Sequence, residues 1–450
     1  MRRILYIIWL IPFLWIIGGE RLLLPVVVVA VFGLSIFNIG SLPRPVFWLL
    51  LFLAAYLVSA LQVESTVRYI TFFWDFLIYL CLFLVAFHFY RASESFHDVE
   101  LVVRHLVMLM FLFHLLALTY FIIGDWRFET LIGKLIPASI KATQVGSKVA
   151  VHGVGRELYF LGIGTRLASV FVSSMQYAAA SLLTIPSAFY FMFRGSRSSR
   201  MFFALVFVVS CVGMFFSQGR TAIVLSALAV ISMIVAHPLA RSRYFSRSGS
   251  VLMVAVIAAF GGIVYLISHS VLFEYFDYYF VQQRASSYEE RFEIYSLSMQ
   301  EIIKSPVLGH GTQTTVEDIG IPLGSHNWYM SVLYKQGLLG FIPFIVFLTI
   351  TYAKSINNIF AFGRLDGRRN FSLMLAVTVC AHAALCLTAE PVVDAIHVFF
   401  ISIYFGAIYS IDKLWRVSAN ASNADGALMA PTEGSAGTFG DALPGRGPLP

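Results

Sequence analysis

Charge is scarce in this chain, and paired cysteine chemistry is scarcer. Only 12% of its 450 residues are Asp, Glu, Lys or Arg, about half the usual share in soluble proteins. Its four cysteines, Cys81, Cys211, Cys380 and Cys386, all fall inside apolar stretches and never at C-x-x-C spacing. That argues against a disulfide framework and against a zinc site. No G-x-x-x-x-G-K-[ST] run occurs, so nucleotide hydrolysis has no visible seat. No internal repeat is visible either.

Hydrocarbon is what the chain has instead. Hydrophobic residues make up 59% of it, with 42 phenylalanines, more than a soluble core can hide. The surplus comes in blocks of about 15–24 residues, the length a helix needs to cross a bilayer. The fold class is therefore all-α, a polytopic integral membrane protein. Spans are expected near 4–19, 22–37, 46–61, 69–90, 106–123, 174–193, 201–216, 221–236, 251–267, 328–350, 371–388 and 395–411, twelve in all. The start, Met1-Arg2-Arg3 before an apolar run, imitates a signal peptide. No small-residue cleavage site follows, so it reads as an uncleaved first span. The net charge of +7 does not point to nucleic acid, because the basic residues sit between apolar blocks rather than on one soluble face.

Those basic residues orient the chain. Short connections on one side hold 17 of them, from Arg2 and Arg3 through Arg194, Arg197 and Arg200 to Lys413 and Arg416. The opposite short connections hold three, Arg21, Arg68 and Arg220. By the positive-inside rule both termini are cytoplasmic, and two long connections, 124–173 and 268–327, lie outside. A membrane domain over 1–417 is then followed by a tail, 418–450, rich in Ala, Gly, Ser and Pro. Such a tail cannot bury a core and is expected to be a disordered cytoplasmic segment.

The outer segments hold the reactive groups. In EERFEIYSLSMQEIIKSPVLGHG, the residues Phe292, Tyr295, Met299, Ile302 and Ile303 recur at helical spacing. They predict an amphipathic helix lying on the outer membrane surface, stopped at Pro306 and the Gly309–Gly311 turn. His326 and Asn327, in GSHNWYMSVLYKQGLLG, stand where the outer loop enters the tenth span, and Gly337 and Gly340 let that span pack closely. Arg220, in FFSQGRTAIV, sits at the outer turn between spans seven and eight, and Arg166 precedes span six. With Arg291 this places three arginines and a histidine, from four segments, on one side of the membrane. Arginine's planar fork grips phosphate oxygens bidentately and keeps its charge at any relevant pH. A histidine with a pKa near 6.5 suits a general base.

The order of these motifs resembles the O-antigen ligase superfamily, which also holds surface-polysaccharide polymerases and some protein O-oligosaccharyltransferases. The resemblance rests on an arginine before span six, S-Q-G-R after span seven, an arginine-led helix ending in S-P-V-L-G-H-G, and H-N-x9-G-x-x-G from His326 to Gly340. It covers roughly 160–350. It implies transfer, without metal or cofactor, of a glycan from undecaprenyl pyrophosphate to a sugar hydroxyl such as that of lipid A-core. The enzyme would sit in a bacterial inner membrane with its site facing the periplasm. By position, His326 would be the general base, and Arg220 and Arg291 would hold the leaving pyrophosphate. Arg166, Asn327 and Asp75 would be substrate-binding. One departure is Gly219 before Arg220, where many relatives have serine.

The remaining ionisable groups divide between roles. Asp75, inside span four, is costly there unless paired or wet, and either orients His326 or pairs with an arginine. Lys335 is expected to snorkel or to enter an internal ion pair. Glu390 and Asp394 are candidates for holding acceptor sugars. Histidines 88, 114, 382 and 397 are read as structural. Trp126, Lys134, Lys141, Lys148 and Arg156 form a basic loop fit for an anionic lipopolysaccharide core, which tips the choice from repeat-unit polymerase towards ligase. A polysaccharide transporter is the non-enzymatic alternative, but such carriers place ionisable groups near mid-bilayer rather than at one face.

Overall fold

The computed structural model describes residues 1–34, 42–141, 144–156, 166–241, 285–315, 321–362, 367–390 and 394–428. Among them the chain is almost wholly helical. It runs through α1 (Arg2–Ile17), α2 (Leu23–Phe32), α3 (Arg44–Ser59), α4 (Thr66–Ala92), α5 (Phe96–Leu118) and the short α6 (Tyr120–Ile123). Three short helices follow, α7 (Leu131–Leu135), α8 (Ala138–Lys141) and α9 (Gln144–Ala150), and then α10 (Ser174–Met192), α11 (Arg197–Ser217) and α12 (Arg220–Arg241). The chain closes with α13 (Ala285–Lys304), α14 (Trp328–Ala361), α15 (Gly367–Leu385) and α16 (Ala395–Leu428). Serines start several of these helices by accepting an early backbone N–H: Ser65 for α4, Ser95 with Asp98 as a capping box for α5, Ser173 for α10 and Ser196 for α11.

A multi-pass membrane protein follows from six helical stretches among the described residues that are both long and apolar enough to span: 44–62, 66–92, 96–123, 197–217, 328–361 and 395–420. Helices also occupy five more of the twelve expected spans, but they meet only part of that description. α1 has 16 residues, α2 only 10, and the apolar part of α12 ends at Ala236. α10 is long but carries Gln176, Ser181, Thr184 and Ser187, and 16 of its 19 residues are buried. A helix walled off from lipid by its neighbours can carry such groups, provided they find hydrogen bonds. Here the Ser181 and Thr184 hydroxyls donate to carbonyls one turn back. The ninth expected span, 251–267, lies outside the described residues.

The bundle has two distinct ends. At one, Arg194 Nε lies 3.9 Å from Glu100 Oε1, and Lys413 donates to the carbonyls of Tyr90 and Ser93. Most of the excess cations gather there. At the other, Val172 N–H donates to Asp394 Oδ2 (2.9 Å), and His152 Nδ1 lies 2.8 Å from the Trp15 carbonyl oxygen. The described parts of 124–173 fold against this second end. They include two short antiparallel pairs that the all-α reading did not foresee, β1 (Arg127–Glu129) with β2 (Val151–Gly153) and β3 (Gly155–Arg156) with β4 (Arg166–Leu167). The core centres on α16, whose spanning stretch is 94% buried, packed against α4, α10, α14 and α15. α16 also continues to Leu428, past the expected start of the tail at 418. Its Ala-rich continuation, SANASNADGAL, extends a helix already nucleated in the core.

Candidate functional site

The long α14 is not one helix. Gly337 breaks it with φ 60° and ψ −164°, a conformation that only glycine adopts without strain. The break is filled by the S-P-V-L-G-H-G segment. His310 N–H and Gly311 N–H donate to the carbonyls of Tyr334 (2.9 Å) and Lys335 (2.8 Å), while Leu338 and Leu339 donate to those of Pro306 (2.8 Å) and Val307 (3.0 Å). Backbone groups freed by the break are thus paired from outside the helix, as a low-dielectric setting demands. A Cβ on Gly337 would lie 2.3 Å from the Val307 carbonyl oxygen, and one on Gly309 would lie 2.5 Å from the Gly337 nitrogen. Two of the family-like motifs are therefore halves of a single joint. Gly337 was expected to allow close helix packing; its positive φ makes it the joint itself.

His326 stands just ahead of this half-helix. Its backbone is left-handed, φ 63°, and the chain then turns at Asn327, whose side chain accepts from Met330 N–H (3.0 Å). Asn327, expected to bind substrate, is thus the N-cap of α14, because the first turn of a helix needs an acceptor for its orphan N–H groups. α13 lies alongside. Its Tyr295 hydroxyl donates to the His326 carbonyl (3.2 Å), and Ser298 Oγ accepts from Gly324 N–H (2.7 Å). That contact holds Arg291, on the same helix, near the half-buried imidazole. Burial, and after it the positive Arg291, hold the His326 pKa below the ordinary histidine value. The imidazole is consequently neutral, with a lone pair available, at neutral pH.

Along α13, Ile294 and Ile302 are buried, while Phe292, Met299 and Ile303 are exposed. Ile302 packs on Leu323 and Tyr334, which is what aligns the helix with the His326 turn.

The other two arginines sit together. Gln218, left-handed at φ 54°, ends α11, and its side-chain oxygen accepts from Arg166 Nε at 3.2 Å. Arg220 opens α12 two residues later. Gly219 between them faces Ala178, and a Cβ there would come within 2.4 Å of the Ala178 Cβ. This tight approach of α10 leaves little room for a side chain at position 219. A common corner supports the Arg220 turn and the start of α14. Ala178 and Ala222 pack with Leu385 and Ala389, and the Trp328 N–H donates to the carbonyls of Cys386 (2.9 Å) and Ala389 (3.2 Å).

The acidic candidates are placed differently from expectation. Among the described residues Asp75 reaches neither His326 nor an arginine; Lys335 Nζ lies 3.2 Å from its Oδ2 and 3.2 Å from Glu390 Oε1. Lysine takes that role because Lys335 faces α4 from within the bundle. Glu390 is also engaged by Ser331 and by the Gln313 amide, so both its oxygens have protein partners. Asp394 is buried and accepts from the backbone N–H groups of Val172, Ile396 and His397, capping α16. Trp126 turns inward too, its indole donating to Thr119 Oγ1 and its ring packing on Trp15 and Phe128. Lys141 is paired with Glu129, which removes part of the charge of the basic loop. His114, His382 and His397 are buried in the bundle.

Sequence reasoning missed Gln218, Ser331 and Gln313. Polar residues in loops and apolar runs carry no periodic signal, and only the fold shows what they face. No curated protein matches the chain. Residues 205–345, from within α11 to within α14, match the family described as O-antigen ligase, and within that stretch lie Arg220, Arg291 and His326, the three residues singled out by the order of the motifs.

Proposed function

We propose that this protein is a membrane glycan transferase of the O-antigen ligase type, acting on a polyprenyl-pyrophosphate-linked glycan at the non-cytoplasmic face of a bacterial inner membrane. The observation that carries the reading is the family match over 205–345, which contains all three proposed catalytic residues. Neutral His326 accepts the proton of an acceptor sugar hydroxyl. The hydroxyl oxygen attacks the anomeric carbon of the donor, and the bond from that carbon to the pyrophosphate oxygen breaks. Arg291 and Arg220 take up the charge gathering on the departing pyrophosphate, and fixed cations of this kind are often the largest catalytic contribution. Arg166, held by Gln218 beside the Arg220 turn, adds positive charge to the same anion site.

The acceptor favoured here is a lipid A-core sugar, as for a ligase. A repeat-unit polymerase would use the same base and arginines on a lipid-linked acceptor. Lys134 remains exposed on the loop assigned to the acceptor side, although the Lys141–Glu129 pair and the inward turn of Trp126 reduce the support that this loop lends. The deletion strain's polysaccharide profile is the test. A ligase mutant lacks surface O-chains and accumulates long lipid-linked polymer. Single repeat units attached to core would make the protein the polymerase.

A further inference from the structure

The half-helix that follows His326 has little holding it along its own axis. From Trp328 to the break at Gly337 it is nine residues, about 13 Å at 1.5 Å per residue, shorter than an isolated helix needs for stability. Its direction is therefore set from the side. One face, Trp328, Ser331 and Lys335, makes every side-chain polar contact to α4 and to the 386–390 corner. The Trp328 indole donates to the Tyr79 hydroxyl (2.9 Å), Ser331 donates to Glu390, and the Lys335 ammonium sits 3.2 Å from both Asp75 and Glu390. Gln313 closes the ring with bonds to Glu390 Oε2 (3.0 Å) and Ser331 Oγ (3.3 Å).

Lys335 is 2% exposed, and the side chains of Glu390 and Asp75 are 8% and 20% exposed. Burying three charges is a poor way to gain stability, since well-packed apolar residues of the same volume usually do as well or better. What the cluster supplies is direction. The ammonium is fixed by two carboxylates on separate elements near one end of the half-helix, and the Trp328 contacts fix the other end. The half-helix can then neither swing about Gly337 nor turn on its axis without separating a buried ion pair. His326 lies two residues before this face, so a tilt of the half-helix displaces the imidazole directly.

We propose that Lys335, held by Asp75 and Glu390, is a positioning residue that sets the orientation of the broken half-helix and, through it, the place of the His326 base. The inference rests on the glycan-transfer reading above.

The test uses full-length protein in nanodiscs, an undecaprenyl-pyrophosphate-linked oligosaccharide as donor and lipid A-core as acceptor. Wild type, His326→Ala, Lys335→Met and Lys335→Met/Glu390→Gln are compared for kcat, donor KM and thermal unfolding. Lys335→Met is expected to lower kcat about 10²-fold, the scale of an ångström-sized misplacement, with donor KM changed by no more than about twofold, because the arginines are untouched. The double variant removes Lys335 together with its more buried carboxylate partner and leaves only the partly exposed Asp75; it regains thermal stability in part but not kcat. Full kcat in Lys335→Met, or kcat that returns with stability in the double variant, would show a merely structural cluster and overturn the proposal. If Lys335→Met does not fold, the double variant alone decides on the same terms. A wild type that depends on His326 alongside Lys335 variants at full kcat sinks only the positioning role. A wild type with no transfer either to lipid A-core or to a second lipid-linked oligosaccharide, or a His326→Ala variant at full rate, removes the glycan-transfer reading and the positioning role with it.

Discussion

His326 carries three constraints at once: a left-handed backbone, partial burial and a neighbouring arginine. As a general base it is expected to contribute about 10²–10⁴-fold, so His326→Ala should reduce transfer by that factor at normal expression. Arg220→Lys and Arg291→Lys should each be severe, since lysine keeps the charge and loses the bidentate fork; unchanged transfer by either would remove that arginine from the anion site. The pH dependence has a definite sign. The working form is the neutral imidazole, and burial and Arg291 hold its pKa below 6.5. The rate should therefore stay level through neutrality and fall only as pH drops through that lowered value. Arg291→Gln removes one of the two causes and should move the acid limb of kcat/KM upward in the residual activity. An acid limb that stays in place would mean that another group titrates.

At the scale of elements, the joint between the 306–311 turn and the split α14 makes two demands on glycine. Gly337→Ala forces a side chain into a backbone region nearly closed to it, at about 1–3 kcal/mol, and drives its Cβ towards the Val307 carbonyl. Thermal unfolding in detergent should show the loss, accompanied by reduced transfer because the half-helix ahead of it moves. Gly219 gives a complementary case. Gly219→Ser adds a side chain that meets Ala178 and should cost about 1–3 kcal/mol as overpacking. Ala178→Gly in the same chain should recover most of that loss. A stable single variant would show that α10 yields at this point.

For the whole molecule, the charge asymmetry between the two ends predicts sidedness. A reporter fused near residue 300 should be active only as an extracytoplasmic reporter, with both termini cytoplasmic. Cytoplasmic signal at that point would invert the protein and remove the site from the donor's side. Transfer is also expected to persist in EDTA, because the proposed chemistry assigns the pyrophosphate charge to Arg220 and Arg291. Activity lost to the chelator and restored by one divalent ion would move attention to the carboxylates. Asp75 and Glu390 would then be the first to replace.

Hydrophobicity and spacing along the chain were enough to determine a helical membrane protein, the positions of nearly all the described long helices, and the helix through Phe292–Ile303 with its stop before Pro306. These are local properties, fixed by the cost of leaving backbone unpaired in lipid and by the period of a single helix. The same linear reading found the motif order that the family match supports over 205–345. It could not tell spanning helices from helices sheltered inside the bundle, because α10's polar residues are tolerated only through neighbours that the sequence does not name. It placed Asp75, Asn327, Glu390 and Asp394 at the membrane boundary or within a span but could not name their protein partners. Lys335 lies 260 residues from Asp75, and whether a carboxylate meets an ammonium, a helix N-terminus or a substrate depends on which elements pack together. Only the tertiary structure could bring the S-P-V-L-G-H-G turn into the break at Gly337, because the backbone groups freed at that glycine are satisfied by a segment some thirty residues earlier in the chain.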